Sequence, residues 1–309
     1  MYRIKKLLAF TLALIFVFSF IPCTSAEDVD ISAIIQSWSP HDNLYKTLPD
    51  GEPQNDSKVF NVLLLGTDEK LSYTSDPGRA DCTMLLSLNK KTGAIKLISF
   101  ERGIEVPVPS KLTAVGNEYD LLTHAYHWGG VELMEKLLRE CFLVDIDAYA
   151  QVDIHEFATV IDIIGGIDIT LSSAEANHMH LKPDANSASD TTEGLYHLNG
   201  QEAIAYCRLR GIDDDWARQQ RQRNTIKAAA NKISDLSVKE ILSLADTLMD
   251  VINNDVSKFT IASLAAHAPK FLKSDFEQLQ VPEKNRTGTY IECDFVAEAE
   301  RIRTFIYGD

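Results

Sequence analysis

The chain is short of positive charge. Its 309 residues include 30 lysines and arginines against 45 aspartates and glutamates, so the formal net charge is −15. A body this acidic repels nucleic acid and anionic lipid in general, and no DNA-binding motif occurs in the sequence. The composition therefore predicts no nucleic-acid partner and argues against a transcription regulator. A local group of arginines in such a chain predicts a defined anion site rather than a diffuse basic surface.

Cysteines and nucleophile motifs are also scarce. Cys82, Cys141, Cys207 and Cys293 follow the first 26 residues, and their spacings match no CxxC metal or redox motif. Apolar neighbours around three of them favour buried free thiols, although two disulfides stay open as an alternative. The sequence contains no Gly-x-Ser-x-Gly or similar nucleophile motif, which disfavours a hydrolase with a covalent intermediate.

The first 26 residues differ from the rest of the chain. Arg3, Lys5 and Lys6 precede an apolar run at 7–21, and small residues at 24–26 offer a cleavage site. This pattern predicts an export signal. The apolar run is shorter than the roughly 20 residues that a membrane-spanning helix needs, which favours cleavage over a retained anchor.

Beyond residue 58 the patterns of strand and helix alternate. Continuous apolar runs predict strands at 59–65, 83–88 and 94–100, with a hairpin turn between the last two. Further strands are expected at 147–153, 167–171, 276–281 and 289–293, and helices at 131–138, 154–164, 199–207, 215–233 and from 295. There is no internal repeat. We therefore expect a signal peptide or N-terminal anchor at 1–26, a polar tether at 27–57 with one short helix around 31–38, and one mixed α/β domain at 58–309.

An arginine-rich segment is the most distinctive feature. Five arginines occur in sixteen residues, namely Arg208, Arg210, Arg218, Arg221 and Arg223. A guanidinium group forms two-pronged hydrogen bonds to phosphate or carboxylate and stays charged at any working pH. If Asp215 starts a helix, Asp215, Arg218 and Arg221 or Gln222 share one helix face. The segment predicts a polyanion pocket, and the alternative is a solvated, salt-bridged helix start.

Four more charged residues stand at the ends of predicted strands, where α/β folds place ligand sites. They are Asp68, Arg79, Asp81 and Arg102. Two aspartates and a group of arginines can hold a pyrophosphate, because carboxylates bind Mg²⁺ and guanidinium groups bind phosphate oxygens.

Asp120, His124 and His127 also lie three to four residues apart. This spacing suits a metal site on a helix. No further histidine or cysteine stands at ligand spacing, so a place on the helix surface or in the core is the preferred interpretation.

In their order along the chain, these residues resemble the LytR-CpsA-Psr proteins of the Gram-positive cell envelope. The shared segments run collinearly through roughly residues 59–233: Leu65-Gly66-Thr67-Asp68, Arg79-Ala80-Asp81, Arg102, His124-Ala125-Tyr126 with Gly129-Gly130, Ile161–Asp168, Leu198-Asn199-Gly200, Arg208-Leu209-Arg210 and Asp215–Gln222. The resemblance implies a single α/β/α domain with a mixed central sheet and an apolar tunnel for a polyprenyl chain. It also implies an Mg²⁺-dependent phosphotransferase, exported to the outer face of the plasma membrane or the cell wall. Such an enzyme moves a glycopolymer phosphate from a polyprenyl-pyrophosphate carrier at the membrane surface to peptidoglycan.

The resemblance further assigns roles to residues. Asp68 and Asp81 would bind Mg²⁺. The expected catalytic residues are Arg102, Arg208, Arg210 and Arg218, which would clamp the pyrophosphate, and Asp215, which would orient Arg208 or Arg210. The expected substrate-binding residues are Arg79, Arg221 and Gln222.

The chain departs from the family pattern beside Arg102. Gly103 stands where the family usually has aspartate, and Cys82 stands where threonine is usual. The missing carboxylate at Gly103 keeps a second hypothesis open, a non-catalytic polyprenyl-(pyro)phosphate binding protein of the cell envelope.

Overall fold

The computed structural model describes residues 30–42, 46–68, 78–181, 193–213, 215–234, 253–255, 276–283 and 290–308, with positions 260, 263–264, 267 and 270–271. The expected export signal lies outside these residues. The chain divides into two compact units. We call them the sheet unit, which runs to Gln151 and resumes at Asp275, and the arginine unit, Val152–Ser274.

The described residues form these strands: β1 (Val59–Thr67), β2 (Ala80–Asn89), β3 (Ile95–Phe100), β4 (Glu105–Pro107), β5 (Tyr119–Leu121), β6 (Ala148–Asp153), β7 (Ile167–Leu171), β8 (Gly194–Leu198), β9 (Asn253–Asn254) and β10 (Phe276–Val281). The α-helices are α1 (Ile31–Ser37), α2 (Leu122–Phe142), α3 (Ile154–Ile163), α4 (Ser173–His178), α5 (Gly200–Cys207), α6 (Asp215–Ser234) and α7 (Phe295–Tyr307). Within this described part, none of the helices combines the length and apolar character needed to cross a membrane.

The sheet unit is built on a mixed β-sheet. Its strands follow one another in the order β10-β3-β2-β1-β6. β2 pairs antiparallel with both β1 and β3, and β10 pairs parallel with β3. Leu85 and Ile98 face the main hydrophobic core, while Met84 and Leu86 on the other face are also fully buried. Burial on both faces explains why these strands are continuous apolar runs, and the expected mixed α/β fold is confirmed.

Helices α2 and α7 cover one face of this sheet. The ring of Phe142 in α2 lies 5.0 Å from the ring of Phe100 and 5.3 Å from that of Phe295, measured between centroids. Helix α2 begins nine residues earlier than its periodicity predicts and bends at Gly129 and Gly130, where the backbone leaves helical geometry.

Helix α1 packs against this bend. A Cβ atom at Gly129 would lie 2.8 Å from Cδ1 of Ile35, which is buried. The Lys136 ammonium donates to the Ile35 carbonyl oxygen at 2.8 Å, and the Ser32 hydroxyl donates to Glu132 at 2.6 Å. The short helix expected within the tether at 27–57 is therefore confirmed, and it is fixed to the sheet unit.

The arginine unit contains two helices whose first turns are fixed by reciprocal side-chain caps. Asp153 and Glu156 cap α3, and Asn199 and Glu202 cap α5. These capping boxes satisfy backbone N–H groups that the helices leave unpaired. The helix expected at 199–207 is confirmed.

Gly200 allows α5 to approach α3 closely. A Cβ atom at Gly200 would lie 2.2 Å from the Ala158 carbonyl oxygen. We therefore expect Gly200→Ala to lower the free energy of unfolding by about 1–3 kcal/mol, the usual cost of overpacking, in urea titrations. Gly194→Ala is the matched control, because a Cβ atom there meets nothing within 4 Å. Equal losses in the two variants would contradict this account.

Candidate functional site

The two aspartates expected to bind Mg²⁺ lie at the same end of the β1–β2 pair. Gly66 pairs with Cys82 and Thr67 pairs with Ala80, so Asp81 is an extra residue in a β-bulge. Such bulges redirect a side chain and are common beside active sites. Asp68 directly follows β1.

The backbone of Arg79 holds Asp68 in place. The Arg79 amide donates to Oδ1 of Asp68 at 2.5 Å, and the Asp68 amide donates to the Arg79 carbonyl oxygen at 3.0 Å. The Arg79 residue itself is exposed. Arg79 thus contacts Asp68 through its backbone.

Arg102 joins the same group. Its Nη1 donates to Oδ1 of Asp81 at 3.0 Å. The Arg102 side chain is 32% solvent-exposed and the Asp81 side chain 37%. The Thr123 hydroxyl donates to the same oxygen at 3.4 Å, and the Thr123 amide donates to the Arg102 carbonyl oxygen at 3.1 Å. The ends of β1, β2 and β3 and the first turn of α2 therefore bring together Asp68, Asp81 and Arg102.

A second group of polar side chains, centred on the Asp120 carboxylate, lies at the N-terminal end of α2. Oδ1 of Asp120 lies 2.7 Å from Nδ1 of His124, and Nε1 of Trp128 donates to Oδ2 of Asp120 at 2.7 Å. Burial raises the pKa of Asp120, but the hydrogen bonds from Trp128 and His124 outweigh it and hold this pKa below its ordinary value. The four-residue spacing of Asp120, His124 and Trp128 is the sequence signal for this cluster, which was not among the expected site residues.

The arginine-rich segment separates into exposed and buried members. Arg208 ends α5, and both Arg208 and Arg210 are exposed. Arg218 and Arg221, on α6, are each only 3% exposed. Helix α6 begins at Asp215 as expected, although the Asp215 side chain lies outside the described part of the chain.

Arg221 connects three pieces of the arginine unit. Its Nε donates to Oε1 of Glu175 in α4 at 2.8 Å, and its Nη2 forms an ion pair with Asp213. Its Nη1 donates to the carbonyl oxygen of Leu209 at 3.3 Å. Arg221 thus fixes the backbone between Arg208 and Arg210, the two exposed arginines.

The comparisons with known proteins show the family of the chain. The sequence profile described as the LytR_cpsA_psr family matches residues 31–304. The chain belongs to the LytR-CpsA-Psr family. The family resemblance seen in the motifs is therefore confirmed.

Two members of the LytR-CpsA-Psr family are similar in sequence. One is the polyisoprenyl-teichoic acid–peptidoglycan teichoic acid transferase TagT of Bacillus subtilis (strain 168), 33% identical over 194 residues, 62% of this chain and 58% of that protein. The other is the corresponding transferase TagU of Bacillus cereus (strain AH820), 29% identical over 212 residues, 68% of this chain and 64% of that protein. The match spans less than two thirds of the length of either relative.

Two solved structures have a similar fold. TagT bound to LIIa-WTA has a TM-score of 0.63 and 26% identity, covering 86% of this chain and 100% of that one. Protein gbs0355 from Streptococcus agalactiae has a TM-score of 0.65 over 82% of this chain and 89% of that one, with 23% identity. The second likeness concerns the fold alone.

The family roles of individual residues stay predictions. Asp68, Asp81 and Arg102 are together in the sheet unit, as expected. Arg208, Arg210 and Arg218 belong to the arginine unit, and their convergence with Arg102 on one anion is not yet tested. Gln222 is half-buried on α6, next to Arg221, whose guanidinium already binds two carboxylates.

Proposed function

We propose that this protein moves a glycopolymer phosphate from a polyprenyl-pyrophosphate carrier to peptidoglycan. Membership of the LytR-CpsA-Psr family supports this proposal, as do relatives named as teichoic acid–peptidoglycan transferases. The observation that carries it is the group formed by Asp68, Asp81 and Arg102 at one end of the sheet. Carboxylates beside an arginine at strand ends suit a phosphate-bearing substrate and a hard cation.

The donors present support an Mg²⁺ requirement. Mg²⁺ is usually bound by one or two carboxylates together with substrate phosphates, and Asp68 and Asp81 provide such a pair. Each is positioned by a hydrogen bond to Oδ1, and these two residues would hold the cation. When bound, Mg²⁺ supplies charge stabilisation to the phosphate oxygens.

The arginines would bind and orient the pyrophosphate. Arg102 is half-exposed beside Asp81, and Arg208 and Arg210 are exposed on a backbone that Arg221 fixes. Phosphoryl transfer requires positioning and charge stabilisation more than a strong protein nucleophile, which agrees with a sequence that has no nucleophile motif. The polyprenyl tail would occupy an apolar tunnel, because such a tail must leave water to bind well.

The site of action would be outside the cytoplasm. The apolar run at 7–21 behind a basic start predicts export, and the family's relatives are named for transfer to peptidoglycan. The proposed partners are therefore a lipid-linked glycopolymer at the membrane surface and peptidoglycan, with no nucleic acid.

One observation favours a second candidate function. Gly103, which follows Arg102, has no carboxylate side chain. The Ile291 amide donates to the Gly103 carbonyl oxygen at 2.8 Å. If a carboxylate at that position is needed for turnover, the chain is a binding protein for polyprenyl phosphate or pyrophosphate.

A turnover assay separates the two candidates. The full chain is mixed with a polyprenyl-pyrophosphate saccharide and peptidoglycan, and released polyprenyl phosphate is measured with Mg²⁺ and with a chelator. We expect Mg²⁺-dependent release that also requires peptidoglycan. Donor binding without release would support the binding protein, and the absence of both would overturn both candidates.

A further inference from the structure

The Asp120 carboxylate fixes the orientation and tautomer of His124. It accepts hydrogen bonds from the Leu121 amide at 2.8 Å and from Nε1 of Trp128 at 2.7 Å, and it lies 2.7 Å from Nδ1 of His124. An ionised carboxylate only accepts, so Nδ1 of His124 carries the proton of a neutral imidazole. Nε2 of His124 then holds a lone pair that can accept another proton.

This pair lies beside the phosphate-binding group of the sheet unit. His124 directly follows Thr123, whose amide donates to the Arg102 carbonyl oxygen and whose hydroxyl donates to Asp81. The hydrogen bond to Asp120 draws the imidazole back toward the N-terminal end of α2, the end that carries these contacts. The His124 side chain is 32% solvent-exposed, so a substrate can reach it.

We propose that His124, oriented by Asp120, is the general base of the transfer. This inference rests on the proposed function. Nε2 of His124 takes the proton of the attacking peptidoglycan hydroxyl, whose oxygen forms the new bond to the phosphorus nearer the sugar. The bond from that phosphorus to the bridging oxygen breaks, and polyprenyl phosphate leaves with the electron pair. The imidazolium then releases its proton to water, which restores the neutral base.

A purely structural role for the pair makes different predictions. Asp120 precedes Leu121, the N-cap residue of α2, which forms no side-chain cap. In a purely structural role, the Asp120–His124 contact would support this end of the helix. A structural brace affects folding or donor binding, whereas a general base affects kcat and responds to an added base.

Chemical rescue tests the base directly. In the turnover assay, we expect His124→Gln to lower kcat by about 100-fold or more, the usual contribution of a positioned base, with the KM for the donor nearly unchanged. Added imidazole should raise the kcat of His124→Ala about tenfold. Asp120→Asn should also lower kcat, because an amide no longer fixes the tautomer of His124.

The neighbouring histidine is the matched control. His127 lies three residues further along α2, and His127→Gln should keep wild-type kcat. Wild-type kcat in His124→Gln would overturn the inference, as would a His124→Ala variant that imidazole fails to restore. A wild-type chain that binds the donor but does not turn it over would instead show that the proposed function is wrong.

Discussion

Replacing Asp81 by alanine is expected to abolish Mg²⁺-dependent transfer while leaving the fold intact. Asp81 is the bulged residue between β1 and β2, and its Oδ1 accepts from both Arg102 and Thr123. The substitution removes a proposed metal ligand and the partner that orients Arg102 at once. We expect kcat to fall by at least about 100-fold, as when a preorganised charge contact to a transition state is lost, in assays at saturating Mg²⁺.

A second aspartate–arginine pair in the sheet unit provides the control. Oδ1 of Asp145 lies 3.1 Å from Nη1 of Arg139, a distance close to that of the Asp81–Arg102 pair. Asp145→Ala should leave transfer near the wild-type rate. Asp81→Asn keeps an acceptor for Arg102 and removes the charge, so it should also lose the response to Mg²⁺. Unchanged turnover in Asp81→Ala would show that the metal is bound elsewhere or is not used.

Replacing Arg221 by methionine is expected to destabilise the arginine unit strongly. The guanidinium is 3% exposed and binds Glu175, Asp213 and the Leu209 carbonyl oxygen. Removing one partner of a buried ion pair leaves an uncompensated charge, which typically costs about 3–5 kcal/mol. Urea unfolding measures this loss, and weaker donor binding should accompany it because the backbone between Arg208 and Arg210 is released.

Two further variants identify the cause of that loss. Adding Glu175→Gln to Arg221→Met should recover part of the stability, because the unpaired carboxylate is then gone. Arg139 also pairs with two carboxylates, those of Glu52 and Asp145, but its side chain is 46% exposed. Arg139→Met should therefore cost less than Arg221→Met, because exposed ion pairs contribute little to stability. If Arg139→Met costs as much, the burial of the Arg221 ion pairs is not the reason.

Acid should weaken the ion pair between Glu175 and Arg221. Burial raises the pKa of Glu175, but hydrogen bonds from Arg221 and Ser172 outweigh it and hold this pKa below its ordinary value of 4.5. The folded-state pKa is therefore below the unfolded value, so the stabilisation is complete above pH 4.5 and is lost as pH falls through the folded-state pKa. In the Arg221→Met variant this acid-dependent loss of stability should be smaller.

The elements predicted correctly carry their signal within a few neighbouring residues. Apolar runs mark β1, β2 and β3, and the Asn199 cap marks the start of α5. Gly129 and Gly130 instead led the prediction to start a helix at 131, because the sequence does not reveal that Ile35 packs against Gly129 and the helix continues through a bend. In the expected strand at 289–293, Ile291 forms a single β-bridge with Ile104.

In the candidate site, too, the sequence predicts local features better than contacts between distant residues. The ends of paired strands meet, so the closeness of Asp68, Asp81 and Arg102 was predictable from the order of the strands. The contact between Arg221 and Glu175 joins residues 46 positions apart in sequence, and no local pattern encodes it. The interaction of Asp120 with both His124 and Trp128 depends on side-chain rotamers, which spacing alone does not determine.

The attachment of α1 to α2 limits how far the folded body can move from the start of the chain. Ile35 is buried against Gly129, and Lys136 donates to the Ile35 carbonyl oxygen, so α1 is fixed to α2. If residues 1–26 stay in the membrane as an anchor, the link from Ala26 to Ile31 spans at most about 18 Å. A retained anchor would then hold α1 close to the membrane, so that the proposed transfer would take place near the lipid headgroups and the glycan strand would have to come to the membrane.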